Sequence, residues 1–375
     1  MTFLEIENLR KEFGEVVAVD DVSFSVEEGE FVTVVGPSGC GKTTTLLTIA
    51  GLQLPTSGSI RLRGRDLTSL PAYERDVGVV FQDYALFPHK TVAENIAFGL
   101  KMRGANGRTR EEKVTEMLAM IDLEGYEDAY PHECSGGEQQ RVAVARALAF
   151  DPDLVLMDEP LSNLDKKLRV SMRTELKRIQ RETGVTTLYV THNQTEALSM
   201  GDRLAVMNGG KLEQYDHPKR AYEFPASPFV ADFLGKSSRT DGTLALVEGE
   251  DRGEIRLDGA ELIVAPRDGF ADGDAVATFL RTETVSIHAT RPAVENAFAG
   301  TVSEVDYQGR DTVYFVSVPA FDAPVQVSGS GRDGPFEPGD EIWVSVDPAD
   351  VIYTAPHGAE RAGRRSESSA VAEAR

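Results

Sequence analysis

The sequence predicts an α/β layer domain over residues 1–236, followed by a small all-β domain over residues 240–355. Three observations carry this. Strand-like and helix-like segments alternate as far as residue 236, the pattern of a sheet covered by helices. One strand-to-helix junction reads Gly36-Pro-Ser-Gly-Cys-Gly-Lys-Thr43, the G-x-x-x-x-G-K-[ST] spacing of a phosphate-binding loop. After Gly235 the helical pattern gives way to short β-rich runs split by Gly, Asp and Pro, barrel-like or sandwich-like.

In the first domain, strands are expected over residues 3–8, 22–26, 31–35, 77–81, 154–157, 187–190 and 204–207. Helices are expected after Lys42, Val92, Thr109, Glu138, Asp165, Asn193 and Pro218, with a helical subdomain over about 83–150. Asn208-Gly-Gly210 reads as a tight turn between two strands. In the second domain, strands are expected over 254–257, 260–264, 275–279, 313–318 and 342–346. From His357 to Arg375 the chain is Ala, Glu, Arg and Ser with no apolar period, and a mostly disordered tail is expected.

The chain has 375 residues, enough for two domains, with a globular balance of 41% hydrophobic and 27% charged residues. No window of 18 continuous apolar residues is present. The start, Met1-Thr-Phe-Leu-Glu-Ile-Glu7, lacks the basic and apolar regions of a signal peptide, so a cytoplasmic location is expected. Cys40 and Cys134 have no metal-type spacing and fit a reduced compartment. Formal net charge is −22. Residues 241–350 hold 22 Asp or Glu against 7 Arg and no Lys, a balance of −15. Such a segment repels a phosphate backbone, so nucleic acid is excluded as its partner. It is either a solvated acidic surface or an adaptation to high salt.

The phosphate-loop glycines let backbone N–H groups converge on a polyphosphate at a helix N-terminus. Lys42 supplies a point charge and the Thr43 hydroxyl a ligand for Mg²⁺; the plainer alternative is a Gly-rich turn with a stray lysine. Leu154-Val-Leu-Met-Asp-Glu-Pro160 is an apolar strand ending in two acids, expected beside the loop's own strand. Asp158 is then placed to hold Mg²⁺, and Glu159 to orient and deprotonate an attacking water. Cys134-Ser-Gly-Gly-Glu138 opens an amphipathic helix. Ser135 and Glu138 have the spacing of a capping box, a purely structural use. Paired glycines, a hydroxyl and a helix start also make a second anion site, which one nucleotide does not need from one chain.

These three motifs, in this order, resemble the ATP-binding subunits of ABC transporters over about residues 3–236. The resemblance implies that Gly36, Pro37, Ser38, Gly39, Cys40, Gly41, Lys42, Thr43 and Thr44 bind ATP, with Phe13 stacking on adenine. It implies Gln82 as the glutamine that touches Mg²⁺ and the permease, so that the metal set is Thr43, Gln82 and Asp158. His192 matches the histidine that contacts the γ-phosphate, beside Glu159 as catalytic base. Ser135, Gly136, Gly137, Glu138 and Asp165 would complete the site of a second subunit, which explains the spare anion site and implies a homodimer with two ATP molecules between its subunits. Cys134 departs from the family's usual Leu, a small hydrophobe in place of a larger one.

The second domain resembles the small OB-like domain that follows many importer ATPases, on the pieces Pro266-Arg-Asp-Gly-Phe270, Leu280-Arg-Thr-Glu-Thr-Val285 and Asp306-Tyr-Gln-Gly309. The join at 222–235 is most similar to importers of polyamines, ferric iron or thiamine. The expectation is an importer's energising ATPase at the cytoplasmic membrane face, with separate permease subunits and, indirectly, an external solute-binding protein. Rival readings are a sugar-type importer ATPase, a soluble ABC ATPase acting on DNA or ribosomes, and a small-molecule kinase. The last leaves Ser135 to Glu138 unexplained, and the soluble type carries long coiled coils or two cassettes that this chain lacks.

Overall fold

The computed structural model describes residues 2–247, 252–309, 311–330 and 336–356; the expected tail over 357–375 lies outside the described residues. By its internal contacts the chain divides into two units, Met1–Ala221 and Tyr222–Arg375.

The first unit opens with a long hairpin of β1 (Thr2–Phe13) and β2 (Val16–Glu27). β3 (Phe31–Val35), buried throughout, runs into α1 (Lys42–Ile49). β4 (Ser57–Leu62) and β5 (Arg65–Asp66) join the hairpin in an antiparallel sheet of order β2-β1-β4-β5. β6 (Val77–Val80) precedes four helices: α2 (Val92–Ile96), α3 (Phe98–Met102), α4 (Gly107–Met120) and α5 (Gly136–Leu148). Then come β7 (Leu154–Asp158), α6 (Lys166–Thr183), β8 (Thr186–Thr191), α7 (Gln194–Met200), β9 (Arg203–Asn208) and β10 (Lys211–Asp216). The central sheet has the order β10-β9-β3-β8-β7-β6 and is parallel except for β10.

The five parallel strands are those the apolar runs predict. The expected strands at 3–8 and 22–26 belong instead to the separate antiparallel sheet, and both run on further. β7 does not lie beside β3 as expected, because β8 pairs with both and separates them. β4, half polar, and β5, two charged residues, escape an apolar-run search, whereas β10 is the strand expected beyond the Asn208-Gly-Gly210 turn.

Alternation along the strands divides the side chains between two cores. Leu154 and Leu156 face the antiparallel sheet and α1 with Val32, Val34, Leu188 and Val190. Val155 and Met157 face the helices with Phe31, Tyr189, Val142 and Leu176. A sheet buried on both faces explains the near-continuous apolar runs.

α8 (Pro218–Glu223) straddles the division between units, and α9 (Pro228–Leu234) follows it. The second unit has two five-stranded antiparallel sheets. One combines β11 (Ser237–Leu246), β12 (Gly253–Leu257), β13 (Ala260–Val264), β14 (Ala275–Arg281) and, at its edge, the strand Ile352–Thr354. The other combines β15 (Ser286–His288), β16 (Ala297–Tyr307), β17 (Asp311–Ser317), β18 (Val325–Ser330) and β19 (Glu341–Ser345). Both contribute to one core, including Leu244, Val276, Val302, Val316 and Ile342. The buried Arg281 guanidinium donates to the carbonyls of Ala231 (2.7 Å) and Tyr222 (3.4 Å). Ala231 packs on Ala277, Phe279 and Ile352. This packing draws the stretch after Ala221 into the second unit, ahead of the composition change at Gly235.

In the first unit, Arg75 is 1% exposed and has carbonyl oxygens for partners. Its guanidinium donates to Thr48 (2.7 Å) and Ile49 (2.8 Å) at the end of α1, and to Leu70 (2.8 Å) and Thr68 (3.3 Å). A cation at a helix C-terminus is favourable, and here it also satisfies carbonyls that α1 leaves open. Arg75→Met keeps the volume but strands those carbonyls in a dry site. It should destabilise the full chain by about 3 kcal/mol or more, read from urea unfolding. A loss under about 1 kcal/mol would mean that water takes over the carbonyls.

Candidate functional site

Four chain segments leave the C-terminal edge of the parallel sheet side by side, from β3, β8, β7 and β6 in that order. In an open α/β sheet this edge is where ligands bind.

The segment after β3 is the phosphate loop. A Cβ on Gly36 would strike the Met207 carbonyl oxygen and the Cys40 sulfur. Gly41 has φ 99°, and a Cβ there would strike the Ala18 carbonyl oxygen. Both positions therefore require glycine. Lys42 is 5% exposed, and its Nζ donates to the Gly36 and Pro37 carbonyls at 2.8 and 2.9 Å. Cys40 is buried, and that burial pushes its thiol pKa up, so it is a packing residue and not a nucleophile.

The segment after β7 carries the two acids. Thr43 Oγ1 donates to Asp158 Oδ1 at 2.9 Å. Burial pushes the Asp158 carboxyl pKa up, against the Thr43 hydrogen bond; the charge of Glu159 adds to the rise and that of Lys42 opposes it. Glu159 has φ 44°, a left-handed backbone rare for a non-glycine residue. Its N–H donates to the Val190 carbonyl at 2.9 Å, and its carbonyl accepts from Ser162 Oγ at 2.9 Å. So held, Glu159 meets His192, which leaves the end of β8: Oε2 and Nδ1 are 2.8 Å apart.

Gln82 follows β6 with an exposed side chain, and its carbonyl accepts from Asn163 Nδ2 at 2.9 Å. Just beyond it Tyr84 and Ala85 have φ 63° and 46°, and Arg146 of α5 grips both carbonyls, at 2.9 and 2.6 Å. Phe13 ends β1 in the other sheet, half exposed, with Lys11 Nζ 4.8 Å from its ring centroid.

Ser135 caps α5 in a full capping box: Oγ accepts from the Glu138 N–H (3.4 Å), and Glu138 Oε2 accepts from the Ser135 N–H (2.6 Å). That backbone bond, foremost, holds the Glu138 carboxyl pKa below its ordinary value. Asp165 caps α6, its Oδ1 accepting from the N–H groups of Lys167 and Leu168 at 3.0 Å.

The structure thus joins the phosphate loop to Asp158 and Glu159 to His192 by direct hydrogen bonds. Gln82 is tied to the 161–165 turn through Asn163, whereas Ser135 and Asp165 bond within their own helix starts, and Glu138 adds to its capping bond a second one accepted from the Tyr126 hydroxyl at 3.1 Å. Sequence reasoning missed Asn163 and Arg146. Arg146 had a signal, a cation flanked by alanines in the otherwise apolar run Val142-Ala-Val-Ala-Arg-Ala-Leu148. Asn163 had none, because its use depends on two segments far apart in sequence.

Among the described residues no group of three or more His, Cys, Asp or Glu is gathered to hold a metal alone. The hydroxyl of Thr43 and the carboxylate of Asp158 are hard oxygen donors. They fit Mg²⁺, which is held by one or two protein oxygens together with substrate phosphates.

Comparison with known proteins identifies the family. Residues 19–162 match the ABC transporter family model, and residues 279–353 match the TOBE domain model. The chain is 45% identical to the spermidine/putrescine import ATP-binding protein of Rubrobacter xylanophilus, over 92% of this chain and 91% of that one. The proteins of that name from Nitrosospira multiformis and Chromobacterium violaceum are 44% and 47% identical, over 92% and 85% of this chain and 96% and 89% of theirs. A solved ATP-binding cassette, dimeric in a post-hydrolysis state with ADP and Pi, aligns with TM-score 0.51 at 34% identity. The alignment covers 57% of this chain and 98% of that one. The chain belongs to the family of ATP-binding subunits of ABC transporters, with a C-terminal TOBE domain.

Proposed function

We propose that this chain binds and hydrolyses ATP in a two-fold dimer to energise import of a polyamine of the spermidine or putrescine type. The observation that carries the hydrolytic reading is the Glu159–His192 pair at 2.8 Å, one strand away from the phosphate loop and beside Thr43 and Asp158.

In this reading Lys42 releases its loop carbonyls and pairs with the β/γ-phosphates, while the loop N–H groups and the start of α1 receive the oxygens. Thr43, Asp158 and Gln82 hold Mg²⁺, which when bound neutralises charge on the transferring phosphoryl group. Glu159 orients a water and takes its proton; His192 steadies that carboxylate and faces the γ-phosphate. Phe13 stacks on the base. The partner subunit's Ser135, Gly136, Gly137, Glu138 and Asp165 close the site from the other side. The dimeric cassette among the solved relatives supports that arrangement.

A permease is required, since among the described residues no helix is long and apolar enough to cross a membrane. A groove of about 450 Å³ lined by Phe81, Phe87, Phe98, Phe150 and Leu52 supports docking of apolar permease loops at the helical segments after Gln82. That docking places the subunit at the cytoplasmic face of the membrane. We read the acidic surface of residues 241–350 as suited to a high-salt cytoplasm. The polyamine reading rests on the relatives' names. The join at 222–235 is consistent with it and was equally compatible with iron and thiamine.

Glu159→Gln should keep ATP binding and lower kcat by about a hundredfold to ten-thousandfold, because the base is removed while the phosphate and metal groups stay. It should also accumulate as a nucleotide-bound dimer in sedimentation. Turnover near the wild-type rate would remove Glu159 from the base role.

Lys42→Ala should weaken ATP binding by about tenfold to a hundredfold through loss of a charge-assisted contact. Ser135→Arg should block hydrolysis in the partner's site. Mixed together at an ATP concentration too low for Lys42→Ala to bind, the two variants should regain part of the activity, since one site of the mixed dimer carries neither lesion. No recovery, with mixed dimers shown to form, would contradict a shared site.

Loss of this subunit from its own cell should abolish uptake of labelled spermidine and putrescine and spare that of maltose, ferric iron and thiamine. Loss of sugar uptake alone would favour the sugar-type reading.

A further inference from the structure

Glu196 is a buried carboxylate that the hydrolytic reading does not use. It lies on α7 and is 4% exposed. A buried carboxylate is costly unless hydrogen-bonded and paired. Here Oε2 accepts from the hydroxyls of Tyr189 (2.9 Å) and Thr191 (2.8 Å), and Oε1 stands 3.9 Å from Arg169 Nε.

Both arms of this arrangement lead to the site. On one side, the Thr191 hydroxyl that donates to Glu196 also accepts from the Asn193 N–H at 3.0 Å. It therefore spans His192 and fixes the turn that presents the imidazole. On the other side, Arg169 donates to the carbonyls of Leu161 (3.3 Å), Ser162 (3.4 Å) and Leu164 (2.9 Å). These carbonyls shape the turn after Glu159, and Ser162 returns two hydrogen bonds to the Glu159 carbonyl, from its N–H at 3.1 Å and its Oγ at 2.9 Å. The same turn ends at Asp165 and carries Asn163, which holds the Gln82 carbonyl.

We propose that Glu196 and Arg169 form a buried positioning unit that sets His192 against Glu159 and couples both to the 161–165 turn. The unit joins the Glu159–His192 pair a second time, through the protein, behind its visible 2.8 Å contact. It rests on the reading of that pair as hydrolytic. Neither residue touches nucleotide in this scheme. A shift of the 161–165 turn moves the Arg169 fork, the fork moves the Glu196 carboxylate, and the carboxylate moves the Thr191–Asn193 turn. A dimer contact on the 161–165 turn would by this route be felt at His192 of the same subunit.

The test uses the full chain with Glu196→Gln, Arg169→Met, their combination, and Arg169→Lys. Steady-state kcat and KM, equilibrium ATP binding and melting temperature are measured for each. Glu196→Gln and Arg169→Met should each lower kcat by about tenfold or more, as small misplacements of reacting groups do. KM and ATP affinity should stay within about twofold, a split that simple loss of structure does not produce. The double variant should be no slower than the slower single one, because the two residues act as one unit. Arg169→Lys keeps the charge and loses the fork, so it should fail to restore kcat. This last variant serves where loss of the buried carboxylate prevents folding. Folded variants with wild-type kcat, additive losses in the double variant, or full activity in Arg169→Lys would each overturn the proposal. If Glu159→Gln is inactive while these variants turn over normally, the positioning unit alone fails. If Glu159→Gln itself is active, the underlying hydrolytic reading fails.

Discussion

Burial of both faces of the six-stranded sheet constrains everything else in the first unit. With one face against the antiparallel sheet and the other against the helices, side chains along the strands are mostly apolar, and buried hydroxyls such as that of Thr33 bond to the backbone. Charge is admitted where the strands stop. Asp158, Glu159, His192, Lys42 and Gln82 all stand at or just beyond those ends, and the strand order decides which of them meet. β8 between β3 and β7 brings His192 to Glu159, while Thr43 of the loop still reaches Asp158 directly.

At those ends the backbone accepts unusual conformations and the surroundings hold them. Glu159, Tyr84 and Ala85 are non-glycine residues in the left-handed region, which costs of order 1–3 kcal/mol apiece. Each is gripped by a long-range hydrogen bond: Glu159 through Val190, with Ser162 adding local ones, and Tyr84 and Ala85 through the Arg146 fork. Strain held this way turns a side chain out of the line of its strand or turn. Arg75, Arg146, Arg169 and Arg281 all spend their donors on carbonyl oxygens, so guanidinium is a general fastener in this chain.

The parts legible in the sequence were those encoded locally. The phosphate loop announces itself because Gly36 and Gly41 tolerate no Cβ, and the parallel strands because two-sided burial makes them continuously apolar. The helix starts at Ser135, Asp165 and Asn193 were readable because each cap bonds within three residues. What escaped was long-range. The half-polar β4 stands on pairing partners, β1 and β5, that the local sequence does not name. The expected adjacency of β3 and β7 failed because strand order is a property of crossovers. Asn163, Arg146, Arg169 and Glu196 are ordinary residues until distant turns are brought to them. Glu138 shows the converse: its spacing carried a capping box and an anion site at once, and the single chain displays the box.

The Lys42 ammonium bonded to the carbonyls of its own loop has a thermodynamic consequence. Arrival of a polyphosphate is an exchange of acceptors and not the capture of a bare charge, so net affinity is a difference between two well-satisfied states. In the proposed reading the loop is already held by these bonds before phosphate arrives, so less ordering entropy is left to lose on binding. The same exchange is a filter. A monovalent anion such as chloride offers one weak acceptor against two carbonyls and has little to gain by displacing them. A chain of phosphoryl oxygens, engaging the ammonium and several N–H groups at once, does.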